Sequence, residues 1–272
     1  MSPAMAAAKN TAGPVLATHA LNKRFGGIAA TRDVSLRLEG GARHALIGPN
    51  GAGKTTLINQ LTGVLAPSSG NIELAGEDIT RLAPHKRVRR GLVRTFQINQ
   101  LFAQLTPLQS VCLASSQSRG ATGAWRRLGA DKAALEQSAE LLERFRLADV
   151  MREKTARLAY GKRRLLEVAL ALACRPRVLL LDEPLAGVPD GERADIMATL
   201  AALPPEVTVL LIEHDMDLVF SFASRISVLV DGALLAEGTP AEIGADARVR
   251  AVYLGESHEA GSHEPTGCEG LS

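Results

Sequence analysis

The chain has 272 residues, 46% apolar and 22% charged, with a formal net charge of +2. That length suits one large domain, or a core with a subdomain, and the composition is that of a globular protein. The near-neutral charge excludes a strongly basic nucleic-acid binder, and 3% aromatic residues argue against a base-stacking platform.

Residues 1–13 are rich in Ala, Pro, Gly and Asn, lack the apolar segment of a signal peptide, and are expected to be disordered. No apolar run approaches the ~18–20 residues that span a bilayer, so the chain is expected to stay in the cytosol. Cys112, Cys174 and Cys268 have neither metal nor redox spacing and read as unpaired thiols.

Val15 to Ala20 predicts a first strand. Val34 to Leu38 alternates as a half-buried strand that turns at Gly40-Gly41. Ala45-Leu46-Ile47 is a short apolar strand, and Thr56 to Leu61 has helical spacing. Asn71 to Leu74 is a further strand. A basic patch (Lys86, Arg87, Arg89, Arg90) leads into an extended segment from Gly91 to Gln97. Strand signals then vanish. Leu108–Ala114, Lys132–Leu147 and Lys162–Cys174 read as helices within a mainly helical insertion over about 98–175, with Gly120 to Gly129 as a surface connection. Alternation resumes with a strand at Val178–Leu181, a helix at Gly191–Leu203, a strand at Val207–Ile212 and a helix at Asp215–Ala223. Arg225–Val230 and Ala233–Glu237 form a hairpin around Asp231-Gly232. Alternating strands and helices predict a parallel sheet covered on both faces. Residues 256–272 carry four Glu and no Lys or Arg, and are expected to be a disordered tail.

Between the apolar strand and its helix lies Gly48-Pro49-Asn50-Gly51-Ala52-Gly53-Lys54-Thr55, followed by Thr56. The run fits G-x-x-x-x-G-K-[ST], the phosphate-cradling P-loop. Glycines bring backbone N–H groups close to a phosphate, Lys54 supplies charge for the β- and γ-phosphates, and Thr55 supplies a hydroxyl for Mg²⁺. The helix starting near Lys54 turns its positive dipole end toward the same anion. Asp182 and Glu183 follow the Val178–Leu181 strand, where a parallel sheet presents ligands. Asp182 suits the Mg²⁺ shell and Glu183 a base for the attacking water. His214 repeats that placement after the next strand, where it could bond the γ-phosphate or hold the water.

The order of these motifs resembles the nucleotide-binding subunits of ATP-binding cassette transporters, over about residues 15–255, within a cassette domain expected at 14–255. It runs from the P-loop through Gln97, Leu158-Ala159-Tyr160-Gly161-Lys162 and Leu181-Asp182-Glu183-Pro184 to His214. The resemblance implies an α/β fold: a P-loop NTPase core with a mainly parallel sheet, an N-terminal antiparallel β subdomain and the helical insertion. It implies that Gln97 touches Mg²⁺ and a transmembrane partner, that Phe25 stacks on adenine, and that Leu158, Ala159, Tyr160 and Gly161 form the signature segment covering the γ-phosphate bound by a partner. The general signature is Leu-Ser-Gly-Gly-Gln. Here Ala159, Tyr160 and Lys162 replace the Ser, the first Gly and the Gln, leaving backbone N–H groups and the charges of Lys162, Arg163 and Arg164. Leu185 to Asp190, with Pro189, departs from the usual Gly-Leu-Asn/Asp-Pro ending of the following loop and puts communication between two ATP sites in doubt.

Leu-Ala-Tyr-Gly, Lys23 to Gly27, Val93 to Gln97, Ile212 to Met216 and Val252 to Glu256 are similar to the larger ATPase subunit of branched-chain amino acid importers. Urea-type importer and lipopolysaccharide-export ATPases share the ending and several core motifs. The resemblance implies ATP and Mg²⁺ as ligands, two transmembrane permease subunits, a second and homologous cassette, and indirectly a solute-binding protein. It implies no nucleic acid, and a peripheral position on the cytoplasmic face of the membrane. Soluble, non-transport cassette ATPases generally carry coiled-coil insertions or two cassettes in one chain, and neither feature is present in this sequence.

Overall fold

The computed structural model describes residues 13–95, 101–118 and 132–259. The first of its two sheets is antiparallel. It contains β1 (Leu16–Phe25), β2 (Ile28–Val34), β3 (Arg37–Leu38), β5 (Ser69–Leu74) and β6 (Glu77–Asp78), with β1 paired to β2, β3 and β5. The second runs in the order β11-β10-β4-β9-β8-β7, where β4 is Arg43–Ile47, β7 Leu92–Arg94, β8 Val178–Asp182, β9 Thr208–Ile212, β10 Arg225–Val230 and β11 Ala233–Gly238. All its neighbours are parallel except the β10–β11 hairpin.

The parallel strands are apolar because both faces are covered. Side chains one residue apart serve opposite layers. Leu180 and Leu210 pack with Leu57, Ile58 and Leu61, while Leu179, Leu181, Val209 and Leu211 pack with Leu166 and Val168. Each of these residues is at most 3% exposed, so each such leucine contributes about 1.5–3 kcal/mol by leaving water.

The helices are α1 (Lys54–Thr62), α2 (Pro84–Arg89), α3 (Pro107–Ser118), α4 (Lys132–Arg144), α5 (Tyr160–Ala173), α6 (Asp190–Ala201), α7 (Met216–Phe222), α8 (Pro240–Ala245) and α9 (Ala247–Glu259). The described residues between β7 and β8 carry α3, α4 and α5 and no strand, and these helices share one core through Val111, Leu142 and Leu166.

Three expectations change. The strand expected at Val34–Leu38 divides: Val34 ends β2 and only Arg37–Leu38 forms β3. β2 had no alternating signature, since only Thr31 and Val34 of its residues are buried; its pairing with β1 defines it. The helix expected from Lys162 starts at Tyr160. The last helix continues to Glu259, past residue 255 where a tail was expected. Gln97 and the connection at Gly120–Gly129 lie outside the described residues.

The basic patch also resolves. Arg87 of α2 is 1% exposed. Its guanidinium donates to the carbonyls of Gln60 (2.7 Å), Leu61 (2.6 Å), Thr80 (2.7 Å) and Leu82 (2.9 Å). Two of these acceptors lie in the last turn of α1, where a cation both satisfies carbonyls and opposes the helix dipole. Desolvation lowers the Arg87 pKa, with the charge of Asp78 partly opposing it.

Candidate functional site

The P-loop connects β4 to α1 and is braced from outside. Gly53, the N-cap of α1, has φ +99°, and a Cβ there would lie 2.3 Å from the Ala30 carbonyl oxygen. Gly232 N–H donates to the Ala52 carbonyl (2.9 Å), and Arg32 N–H to the Gly232 carbonyl (2.7 Å). Strand β2 and the β10–β11 turn thus hold the loop from two sides. Gly48 and Ala52 are buried, whereas Asn50, Gly51 and Thr55 are exposed. The Lys54 ammonium donates to the carbonyls of Gly48 (2.5 Å) and Pro49 (2.9 Å), which keeps it over the loop. No acidic residue occupies the first turn of α1 to compete with a bound anion for the helix start.

Asp182 ends β8 and Glu183 follows it, and His214 follows β9, the strand between β8 and β4. The P-loop, His214 and the Asp182-Glu183 pair therefore emerge from one edge of the sheet, at the C-terminal ends of three adjacent parallel strands. Asp182 is ion-paired with Arg94 at the end of β7, and Arg94 also donates to Asn59 of α1 (3.0 Å). The exposed Glu183 has φ +47°, a left-handed conformation uncommon for a residue with a Cβ, and its N–H donates to the Ile212 carbonyl (2.9 Å).

Glu213 organises this edge. It is 2% exposed; Oε1 accepts from the Leu185 N–H (3.1 Å) and Oε2 from the His214 N–H (3.0 Å). One buried carboxylate thereby fixes the loops after β8 and β9, while the His214 ring stays exposed, its Nδ1 3.6 Å from Glu213 Oε2. Sequence reasoning assigned no role to Arg94 or Glu213. The available signal was a charged residue at the end of an apolar parallel strand.

Phe25 ends β1 at the hairpin with β2 and is 50% exposed, so its ring is not core; the Lys23 ammonium lies 5.3 Å from its centroid. Leu158 is 3% exposed and packs in the helical core, so its side chain cannot face a ligand. Ala159 caps α5 without a side-chain hydrogen bond. The charges expected at the start of α5 have partners within the chain. Lys162 donates to the Arg146 carbonyl (2.5 Å) and Asp149 (3.0 Å), Arg163 to the carbonyls of Leu158 and Ala156 (2.9 Å each), and Arg164 to Glu167 (2.9 Å).

For a nucleotide with Mg²⁺, the donor set fits. Mg²⁺ keeps waters and phosphate oxygens and takes only one or two protein oxygens. Thr55 and Asp182 supply a hydroxyl and a carboxylate next to the phosphate cradle. Among the described residues no three His, Cys, Asp or Glu side chains cluster as a protein-only cage would need.

Residues 31–186, more than half of the chain, match the family model described as ABC transporter, and residues 233–259 match that of a branched-chain amino acid ATP-binding cassette transporter. The chain is 42% identical over 254 residues to the high-affinity branched-chain amino acid transport ATP-binding protein BraF of Pseudomonas aeruginosa, covering 90% of this chain and 99% of BraF. It is 39% identical to the corresponding protein LivG of Escherichia coli K12, with the same coverage. Among solved structures, the ADP conformation of MJ1267, an ATP-binding cassette of an ABC transporter, superposes with a TM-score of 0.79 at 30% identity, covering 89% of this chain and 99% of that one. The dimeric bacterial ABC transporter cassette MJ0796 superposes at 0.71 and 25% identity, covering 83% and 98%. No helix among the described residues is long and apolar enough to cross a membrane. The chain belongs to the ATP-binding cassette ATPases of ABC transporters.

Proposed function

We propose that the chain is the ATP-hydrolysing subunit of an importer for branched-chain amino acids or similar solutes, working at the cytoplasmic face of the membrane. The observation that carries the hydrolytic reading is the emergence of the P-loop, Asp182, Glu183 and His214 from one edge of three adjacent strands. The solute class is supported by the likeness to BraF and LivG along nine-tenths of the chain.

Phe25 stacks on the adenine, and residues 48–56 hold the phosphates through backbone N–H groups, with Lys54 moving from its loop carbonyls to the β- and γ-phosphates. Thr55, Asp182 and Gln97 would hold Mg²⁺, which would supply positive charge to offset that of the phosphates. Arg94 holds Asp182 in place through their ion pair. Glu183 accepts the proton of the attacking water, and His214 bonds the γ-phosphate from the neighbouring strand end. A second cassette, homologous rather than identical, covers the γ-phosphate with its own signature segment, and this chain returns Ala159 to Gly161 to the partner's site. Closure excludes water and completes the constellation. Gln97 and the helical region transmit that closure to two permease subunits, which receive solute from a binding protein. No nucleic acid takes part.

The test is a pull-down of tagged chain from native membranes with mass spectrometry of the co-purifying proteins. Two multi-span proteins with a second cassette are expected. A homodimer with a lipopolysaccharide-export assembly would reassign the solute, and a purely soluble partner set would overturn the transport reading.

A further inference from the structure

The start of α5 lacks the cap that a hydroxyl at position 159 would give it. Ala159 is the N-cap residue, and its side chain accepts nothing. An uncapped helix start leaves amide groups in want of acceptors. The acceptor comes from another helix: Glu192, in the first turn of α6, takes the Gly161 N–H at 2.7 Å through Oε2. The approach is close enough that a Cβ on Gly161 would lie 2.0 Å from that oxygen. One residue earlier, the Tyr160 hydroxyl donates to the Ala186 carbonyl (2.8 Å). Arg164 donates to the same carbonyl (3.2 Å), its guanidinium 5.7 Å from the centroid of the Tyr160 ring.

The Tyr160 and Arg164 contacts reach the loop that follows Glu183, and the Glu192 contact reaches α6, the helix that this loop enters. Ala186 N–H donates back to the Glu183 carbonyl (3.0 Å), and Leu185 N–H donates to Glu213, which also holds the His214 amide. The start of α5 is thus linked by hydrogen bonds to Ala186, Ala186 to Glu183, and the adjacent Leu185 to Glu213, which also holds His214.

We propose that Tyr160 and Glu192 are positioning residues that join the signature segment to the Glu183 loop of the same chain, so that the two nucleotide sites of a closed cassette pair report to each other through this clamp. The inference rests on the reading of the chain as half of a two-cassette ATPase. In that arrangement Glu183 and His214 serve the chain's own nucleotide, and the start of α5 serves the partner's. Displacing the start of α5 therefore pulls on Ala186 and reorients Glu183 and His214. The clamp gives this chain a route between sites although its residues 185–190 depart from the usual loop sequence.

The experiment measures ATP turnover of the purified transporter complex carrying Tyr160→Phe, Glu192→Ala or Glu192→Gln in this chain. Losing one hydrogen bond of this kind lowers kcat about fivefold to tenfold in Tyr160→Phe and Glu192→Ala. KM for ATP stays within about twofold because the P-loop is untouched. The Hill coefficient for ATP falls toward one. Glu192→Gln keeps an oxygen acceptor for Gly161 and recovers most of the rate. The double variant Tyr160→Phe/Glu192→Ala is no worse than either single change, since both break one unit. Wild-type kcat and Hill coefficient in Tyr160→Phe, a substitution that leaves the ring in place, overturn the clamp. So does a rise in KM with kcat unchanged. If the wild-type complex itself shows no turnover, the underlying ATPase reading fails instead, which separates the two.

Discussion

The P-loop and the start of α5 are two helix starts built in different ways. At the P-loop the local sequence supplies almost everything: a glycine turn, a lysine and a hydroxyl in eight consecutive residues, with β2 and the β10–β11 turn bracing the backbone. At α5 the local sequence supplies little. The N-cap is an alanine, the basic side chains turn to acceptors within the chain, and the cap arrives from Glu192, 31 residues away. The first arrangement is preorganised by the chain alone. The second is tied to the loop that follows Glu183.

The comparison breaks most completely at Glu183. Glu183→Gln is expected to lower turnover by roughly 10²–10⁴-fold while nucleotide still binds, the scale of a lost general base; a single-turnover assay on the assembled complex reads this. The bracing of the P-loop helix comes next. Arg87→Ala removes the cation that satisfies carbonyls of α1, strands those acceptors in a buried site, and should cost about 3–5 kcal/mol of unfolding free energy in a urea titration. Arg87→Lys should recover only part, since one ammonium cannot reach four carbonyls in a planar fork. Lys54→Ala then tests the cradle itself. Calorimetry should show nucleotide affinity weakened by about 1.5–3 kcal/mol, the worth of hydrogen bonds to a charged group, and an unchanged affinity would remove Lys54 from the site.

The two regions also differ in their response to pH. His44 on β4 is buried against Ser227, and desolvation lowers its pKa to about 4, with Glu237 opposing and Arg225 adding to the effect. Its folded pKa is below the unfolded value, so its contribution is complete above the ordinary histidine range and is lost as pH falls through about 4. Glu167 on α5 does the reverse. Burial raises its pKa to about 7 against the favourable hydrogen bond and charge of Arg164. Its contribution is therefore present below the ordinary carboxylate range and is lost as pH rises through about 7. Glu167→Gln should flatten the alkaline side of this profile, removing a pH-dependent loss of roughly 3 kcal/mol between pH 4.5 and 8. Chemical denaturation across that range checks it, and an unchanged slope would show that Glu167 is not the titrating group.

What the sequence disclosed follows the same division. The P-loop and the carboxylate and histidine ends of β8 and β9 were legible because their chemistry lies in contiguous residues beside apolar strands. The burial of Arg87 was hidden because its acceptors at Gln60 and Leu61 lie on another element, so a basic run read as a patch. Strand β2 was hidden because pairing with β1, rather than an alternating buried face, defines it. The start of α5 was placed two residues late because Ala159, Tyr160 and Gly161 carry no local start signal. Glu213 was quoted with its neighbours but given no role, since only the structure shows one carboxylate accepting from two loops.

The most direct test of the half-site account is light scattering of the Glu183→Gln chain mixed with its co-purified second cassette, with and without ATP and Mg²⁺. The account predicts a stable, ATP-dependent pair that separates when ATP is replaced by ADP. ATP bound at full occupancy, measured calorimetrically, with no change in mass would contradict it.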